Sequence, residues 1–411
     1  MADSSVQQHA LTVIAGIEGS RDELARRLDA VQEPVLAALG RVTTLHYGRF
    51  AAFTPSGGGS AIAFETNYDG DENAHLLELQ AQLGPHLDGI FGLCDGYTTG
   101  DFVAFARAHS RAPAMYYRSH AGLTVQQIRH DARVRAAIET WLDEADANGQ
   151  LCAMRASAIV CGLQTRLAQL GLQVGPVARG LPRQPWAGLL FLVMLLFYLP
   201  VEAVLAAIAA VVFEPADRRD AQRHPPALLS DHDPAVNALI DAEELHLQNG
   251  LTHIVALKPG CFRRSALRLA LSAVEQAHRL LYFEGTLGGI ASIHFARWVL
   301  MDDGTVVFLS SYDGTWDSYL GDFVDKSHWF LTAIWTNTRW FPETHGLLLK
   351  GATAERAFKQ WARTFQVKNQ IWYSAYPELS VRNILDNATI RELAGGELLH
   401  SDEVSRWLAL L

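Results

Sequence analysis

One short pattern, written twice, constrains this chain more than any other feature. The first half contains Thr44-Leu45-His46-Tyr47-Gly48-Arg49-Phe50, a turn through Gly57-Gly58-Gly59-Ser60, and Phe64-Glu65-Thr66-Asn67-Tyr68-Asp69-Gly70. The second contains Ser292-Ile293-His294-Phe295-Ala296-Arg297-Trp298, a turn at Asp302-Asp303-Gly304, and Phe308-Leu309-Ser310-Ser311-Tyr312-Asp313-Gly314. Both spell His-aromatic-small-Arg-aromatic, hairpin, strand, Tyr-Asp-Gly. A matched pattern of this length marks an internal repeat.

The surroundings repeat as well. After each Tyr-Asp-Gly the apolar positions of a helix align: Leu76 with Leu320, Leu79 with Phe323, Leu87 with Leu331, Ile90 with Ile334, Phe91 with Trp335. Before each histidine strand lies another helix, Arg21 to Leu39 and Arg263 to Leu281, preceded by short apolar runs at Leu11 to Ile17 and His253 to Leu257. Each half therefore reads strand, helix, strand, hairpin, strand, helix. That is most of a ferredoxin-like βαββαβ unit. The predicted fold class is α+β: one unit in residues 1–150 with trailing helices, and a second in 227–345. A helical extension, 346–411, is expected to pack on the second unit; it includes a helix at Ala354 to Thr364 and another starting at the N-cap candidate Ser380.

Between the units lies an insert, 151–226. Its centre, Trp186 to Phe213, is long enough to cross a bilayer as one helix of roughly 20 residues. Pro200 would break that helix, and Glu202 would be costly at mid-depth. Split at Pro200, each arm reaches roughly 20 Å, too short to span. An apolar hairpin embedded from one side is therefore expected; a buried helix pair is the alternative. Leu151 to Gly175 reads as amphipathic, and Glu214 to Pro226 as a charged exit linker. A single crossing would separate the two units, so repeat and hairpin support each other. Membrane lipid is thus an expected partner, at the cytoplasmic face.

Charged residues are 19% and apolar residues 49% of the 411, a composition that folds. The formal charge of −10 and the lack of a basic run argue against nucleic acid. Cys94, Cys152, Cys161 and Cys261 form no C-x-x-C pair, so neither a zinc site nor a disulfide framework is expected. The N-terminus lacks the basic start and apolar stretch of a signal peptide, so the front half is expected to stay unexported.

Strand periodicity places His294 and Arg297, like His46 and Arg49, on opposite faces unless a bulge intervenes. The repeated polar groups would then hold the interior together by buried hydrogen bonds, or serve a pocket. In Tyr-Asp-Gly the aspartate is either a helix N-cap or a carboxylate poised to move a proton. His328, beside Trp329, is a candidate axial ligand or a half-buried polar residue, and His345 is a second candidate of the same kind. No G-x-S-x-G, P-loop or H-E-x-x-H is present.

The tandem layout resembles the dimeric α+β barrel superfamily, in which such units pair sheet to sheet. Within it, the chain resembles the dye-decolorizing peroxidases and the chlorite dismutase group. The peroxidases carry a Gly-x-x-Asp-Gly motif over haem; the nearest matches are Ser310-Ser311-Tyr312-Asp313-Gly314 and Thr66-Asn67-Tyr68-Asp69-Gly70, both without the leading glycine. The resemblance implies haem as cofactor, with His328 on the iron and Trp298 and Tyr312 beside it. Asp313 would handle protons, Arg297 would polarise bound peroxide or oxygen, and His294 would complete the catalytic set. The implied function is a membrane-associated oxidoreductase acting on a lipophilic small molecule. Two other classes stay open: a membrane-docked binding or scaffold protein, and a cofactor-free barrel enzyme such as a monooxygenase or isomerase. Of the two copies, the second is expected to keep the working site. Oligomers are compatible with each reading.

Overall fold

The computed structural model describes residues 7–149, 154–176, 186–215, 217–218, 228–229, 233–280, 285–396 and 401–411. Residues 1–6, Cys152, the first residues of the amphipathic stretch and most of the exit linker lie outside them. The first half runs β1 (Gln8–Ile17), α1 (Arg21–Ala30), α2 (Gln32–Leu39), β2 (Leu45–Phe53), β3 (Ser60–Asp69), α3 (Glu72–Phe91), α4 (Phe102–His109), β4 (Met115–Arg118) and α5 (Val125–Ala147). Next come α6 (Ala156–Gln169) and α7 (Ala187–Ile208). The second half begins with α8 (Pro234–Glu244), β5 (Gln248–Ala256), α9 (Cys261–Leu280), β6 (Ile293–Leu300), β7 (Thr305–Asp313) and α10 (Trp316–Trp335). It ends with β8 (Thr344–His345), β9 (Leu349–Lys350), α11 (Glu355–Thr364), β10 (Gln366–Val367), β11 (Ile371–Ser374), α12 (Val381–Ala394) and α13 (Ser401–Leu408).

The protein is α+β. Its strands form two main antiparallel sheets, ordered β1-β3-β2-β11 and β10-β5-β7-β6-β4, with β8 and β9 as a small separate pair; none closes into a barrel. Each main sheet contains one copy of the repeat. Each also takes a strand from the other half of the chain: β11 pairs with β2, Ile371 opposite Phe50, and β4 pairs with β6, Met115 opposite Trp298. The region 346–411 therefore does more than pack on the second unit. Its β10 extends the second sheet, while β11 completes the first.

Between the sheets, Ile14, Phe53 and Ala63 of the first meet Ile254, Val299 and Leu309 of the second. Helices cover the outer faces, and there the aligned apolar residues are all buried, from Leu76 and Leu320 to Phe91 and Trp335. Each large side chain so placed contributes about 1.5–3 kcal/mol of burial. β2 and β3 are buried on both faces, which is why they lack the alternation of a half-exposed sheet.

Two expected elements differ. The helix expected from Arg21 to Leu39 is two helices meeting at Val31, because Pro34 is accommodated in the first turn of α2 and not in a helix interior. The apolar segment is one helix, not a hairpin: α7 runs through Pro200 and ends in a π-helical turn, Ala209–Phe213. Proline removes one ladder bond there without reversing the chain. α7 lies against α9, with Tyr198 Oη 3.2 Å from Ser272 Oγ and Phe213 stacked on Phe262 at 4.4 Å. Its other faces are bare: Leu196 and Phe197 are 66% and 72% exposed.

Candidate functional site

The two repeats bring their histidines to one buried centre. In β2 and in β6 the pairing register shifts at the histidine, between Leu45 and Tyr47 and between Ile293 and Phe295. A bulge of this kind re-aims a side chain, and it gathers both rings around the inward-facing Tyr47 and Phe295. His46 lies 5.3 Å from Phe295 and His294 lies 5.4 Å from Tyr47, centroid to centroid. His120, just after β4, sits 5.8 Å from His46 and 5.9 Å from His294. Tyr376, just after β11, closes the cluster.

Each histidine is oriented by the aspartate of its own Tyr-Asp-Gly. His46 Nε2 is 2.8 Å from Asp69 Oδ1, and His294 Nε2 is 2.7 Å from Asp313 Oδ1. The second oxygen of each carboxylate caps a distant helix. Asp69 Oδ2 accepts from the Val125 amide at the start of α5, and Asp313 Oδ2 from the Val381 amide at the start of α12, both at 2.8 Å. Neither aspartate caps the helix that follows it, where Asp71 and Thr315 take that role. The glycines are required at the turn: Gly70 and Gly314 have φ of 87° and 80°. Anchoring at a helix N-terminus fixes the position of each carboxylate.

The environment sets proton positions. Burial, with His46 and His294 nearby, pushes the His120 imidazole well below its usual range, and burial pushes the Tyr376 phenol well above its own. Both are neutral at pH 7. A consistent chain of donors follows from the contacts. Ser119 Oγ donates to His120 Nδ1 (2.7 Å), His120 Nε2 to Tyr376 Oη (3.3 Å), Tyr376 to His46 Nδ1 (2.8 Å) and His46 Nε2 to Asp69. The second half breaks the symmetry. His120 stands where Tyr376 would have its counterpart, and His294 Nδ1, fully buried, has no hydrogen-bond partner among the described residues. With Nε2 donating to Asp313, that nitrogen holds a lone pair facing the centre.

The arginines of the repeat do different work. Arg49 and Arg297 reach across from sheet to sheet. Arg49 donates to the carbonyls of Leu251 and Ser310; Arg297 donates to those of Leu11 and Thr66, the equivalent positions of the other repeat. Both also pair with Glu65. Burial lowers the Arg49 pKa, and Glu65 opposes that shift.

The other residues expected around haem are dispersed. Trp298 packs on Phe308 at 4.4 Å and Tyr312 stacks on Tyr319 at 4.0 Å, both in the core between the second sheet and its helices. His328 is half-buried on α10, its Nδ1 3.2 Å from the Val324 carbonyl. His345 lies on β8, 3.4 Å from Arg218. Arg297 has its donors engaged between the sheets. Three cavities, of about 570, 730 and 790 Å³, are lined by none of His328, Trp298 and Tyr312. Among the described residues no group of three or more His, Cys, Asp or Glu could hold a metal ion. As placed, these residues do not fit a haem.

The cavity of about 730 Å³ touches the histidine centre. It lies between α5 and the loop after β11, lined by Gln126, Arg129, Arg133, Tyr376 and Leu379 among others. His120, Tyr376 and Ser119 were not singled out in the sequence. A signal was present: Leu123-Thr124-Val125 with Ile128 repeats as Leu379-Ser380-Val381 with Ile384, three residues beyond His120 and Tyr376 respectively. Comparison with family models, curated proteins and solved structures finds no match for this chain.

Proposed function

We propose that this protein is a membrane-docked, cofactor-independent enzyme that moves a proton on a lipophilic small molecule, as an isomerase does. The observation that carries this reading is the open Nδ1 lone pair of His294, buried at the centre and backed by Asp313. A histidine whose far nitrogen donates to an anchored carboxylate is a competent general base, because the carboxylate stabilises the imidazolium that forms. The substrate would enter by the cavity beside Tyr376. The fold reading that goes with it is a tandem pair of ferredoxin-like units that have exchanged their last strands. On this reading the first copy, with His46 Nδ1 occupied by Tyr376, serves as structure.

Docking rests on α7. Its Gly188–Leu205 window has a mean hydropathy of 2.3, and none of that window is buried. Because α9 of the folded body lies along it, α7 would rest in the interface plane with its bare side in lipid. The histidine centre would then draw its substrate from the bilayer.

The test is an absorbance spectrum and iron assay on detergent-purified protein, followed by incubation with a membrane lipid extract read by mass spectrometry. A colourless, iron-free protein that converts an extract component, and loses this in His294→Gln at unchanged circular dichroism, is expected. A Soret band with near-stoichiometric iron, or full conversion by His294→Gln, would overturn the reading.

A further inference from the structure

The cavity of about 790 Å³ at the start of α9 is lined by Lys258, Cys261, Arg264, Asp303, Arg339 and Trp340 among others. Its charge is unbalanced. Asp303 is engaged by the amides of Gly57 and Thr305 and the Thr305 hydroxyl, which hold its carboxyl below the usual range. Among the described residues Arg264 meets only backbone carbonyls, of Met301 and Asp302. Arg339 has no ion-pair partner among the described residues and is exposed. Lys258 is paired with Asp217 from outside the lining. Two guanidinium groups are therefore left without carboxylates among the described residues, beside the first-turn amides of a 20-residue helix. Guanidinium forks and helix N-terminal amides both suit phosphate oxygens.

The same place is where the apolar helix rejoins the body. Phe213, its last residue, stacks on Phe262, and the Arg263 guanidinium lies 5.4 Å from the Phe213 ring. Asp217, four residues on, holds both Lys258 and Arg263. One wall is aromatic: Trp340, parallel to Phe365 at 5.4 Å, is 37% exposed. A free phosphate needs no such wall, whereas the glycerol and upper acyl region of a lipid does.

We infer that this cavity holds the phosphate headgroup of an anionic lipid in the membrane on which α7 rests. The inference depends on the docking reading above. Headgroup capture would fix the depth and rotation of the body on the bilayer, which the apolar helix alone does not define.

The test uses the full-length protein with vesicles of phosphatidylcholine, alone or doped with phosphatidylglycerol. Binding is read by flotation, and the maleimide reaction of exposed Cys261 by peptide mapping. Binding to both vesicles is expected, tighter to the doped ones, with Cys261 protected only there. Arg264→Gln and Arg339→Gln should each lower affinity for doped vesicles roughly fivefold, the worth of one basic group at an anionic surface, and leave neutral binding unchanged. Equal binding and equal Cys261 reactivity on both vesicles, or arginine variants that behave as wild type, would overturn the inference and leave docking intact. Protection by inorganic phosphate as strong as by the lipid would overturn the lipid assignment. Failure to bind either vesicle would sink docking and this inference together.

Discussion

Arg297, on the second sheet, forms a 2.7 Å ion pair with Glu65, on the first, in an interior where both side chains are almost wholly buried. The repeat equivalent of Arg297, Arg49, pairs with the same carboxylate. Register puts Leu309 opposite Arg297, as Glu65 is opposite Arg49, so the second half has no glutamate of its own. One anion thus serves two cations from the two repeats. Removing it leaves two buried charges facing each other, so Glu65→Gln should cost about 3–5 kcal/mol. Urea denaturation in mild detergent measures this. Replacing all three (Arg49→Met, Glu65→Leu, Arg297→Met) should cost less than Glu65→Gln alone, since no charge is then stranded.

The hydrogen-bond chain through Tyr376 predicts the histidine tautomers. At pH 7, ¹⁵N chemical shifts should show His46 and His294 both protonated on Nε2. Tyr376→Phe should move the His46 Nδ1 resonance, which loses its donor, and leave His294 Nδ1 nearly unmoved. The buried hydrogen bonds lost should cost about 1–3 kcal/mol. An Nδ1-protonated His294 would remove the lone pair on which the proposed chemistry depends.

Much of this is legible in the amino-acid sequence. The repeat located both sheets, the aligned apolar positions from Leu76 and Leu320 onward are core, and Ser380 does cap its helix, reciprocally with Asn383. The bulges were not legible. Strand parity separated His294 from Arg297, and only the register shift at residue 294 turns the histidine toward the centre. Nor was the strand exchange, because a four-residue strand such as Met115–Arg118 carries no mark of which sheet it joins. His120 and Tyr376 follow those exchanged strands, so the site was hidden with them. Asp69 and Asp313 looked like local caps; they cap helices that start 56 and 68 residues away, a relation that only tertiary folding creates.

His253 should make the protein acid-sensitive. Its ring is caged by Trp335 and Trp361, neither nitrogen has a hydrogen-bond partner among the described residues, and burial pushes its pKa down to about 3. The folded pKa lies below the unfolded one, so the unfolded chain takes up the proton first. Stability from this group is complete above about pH 6.5 and is lost as pH falls toward 3. Between pH 7 and pH 5 the loss is about 2 kcal/mol. His253→Leu should abolish that part of the pH dependence and raise stability at pH 7 by roughly 1 kcal/mol, because no unsatisfied polar group remains. Calorimetry at the two pH values checks both; an unchanged slope in the variant would mean that the ring is not buried neutral.

The exchanged strands make the two halves interdependent. Without β11, β2 is an unpaired edge whose residues Tyr47 to Phe50 are built for burial, and without β6, β4 has no partner. An apolar edge of this kind associates instead of folding. Residues 1–150 and 227–411, expressed separately, should each lack near-ultraviolet circular dichroism and aggregate. Refolded together they should form a 1:1 complex with native-like aromatic signal, because every ladder partner is then present. A cooperative unfolding transition in 1–150 alone would show that β11 is an addition to a finished sheet. The histidine centre would then also divide, since His46 and Asp69 belong to one fragment and the Tyr376 that orders them to the other.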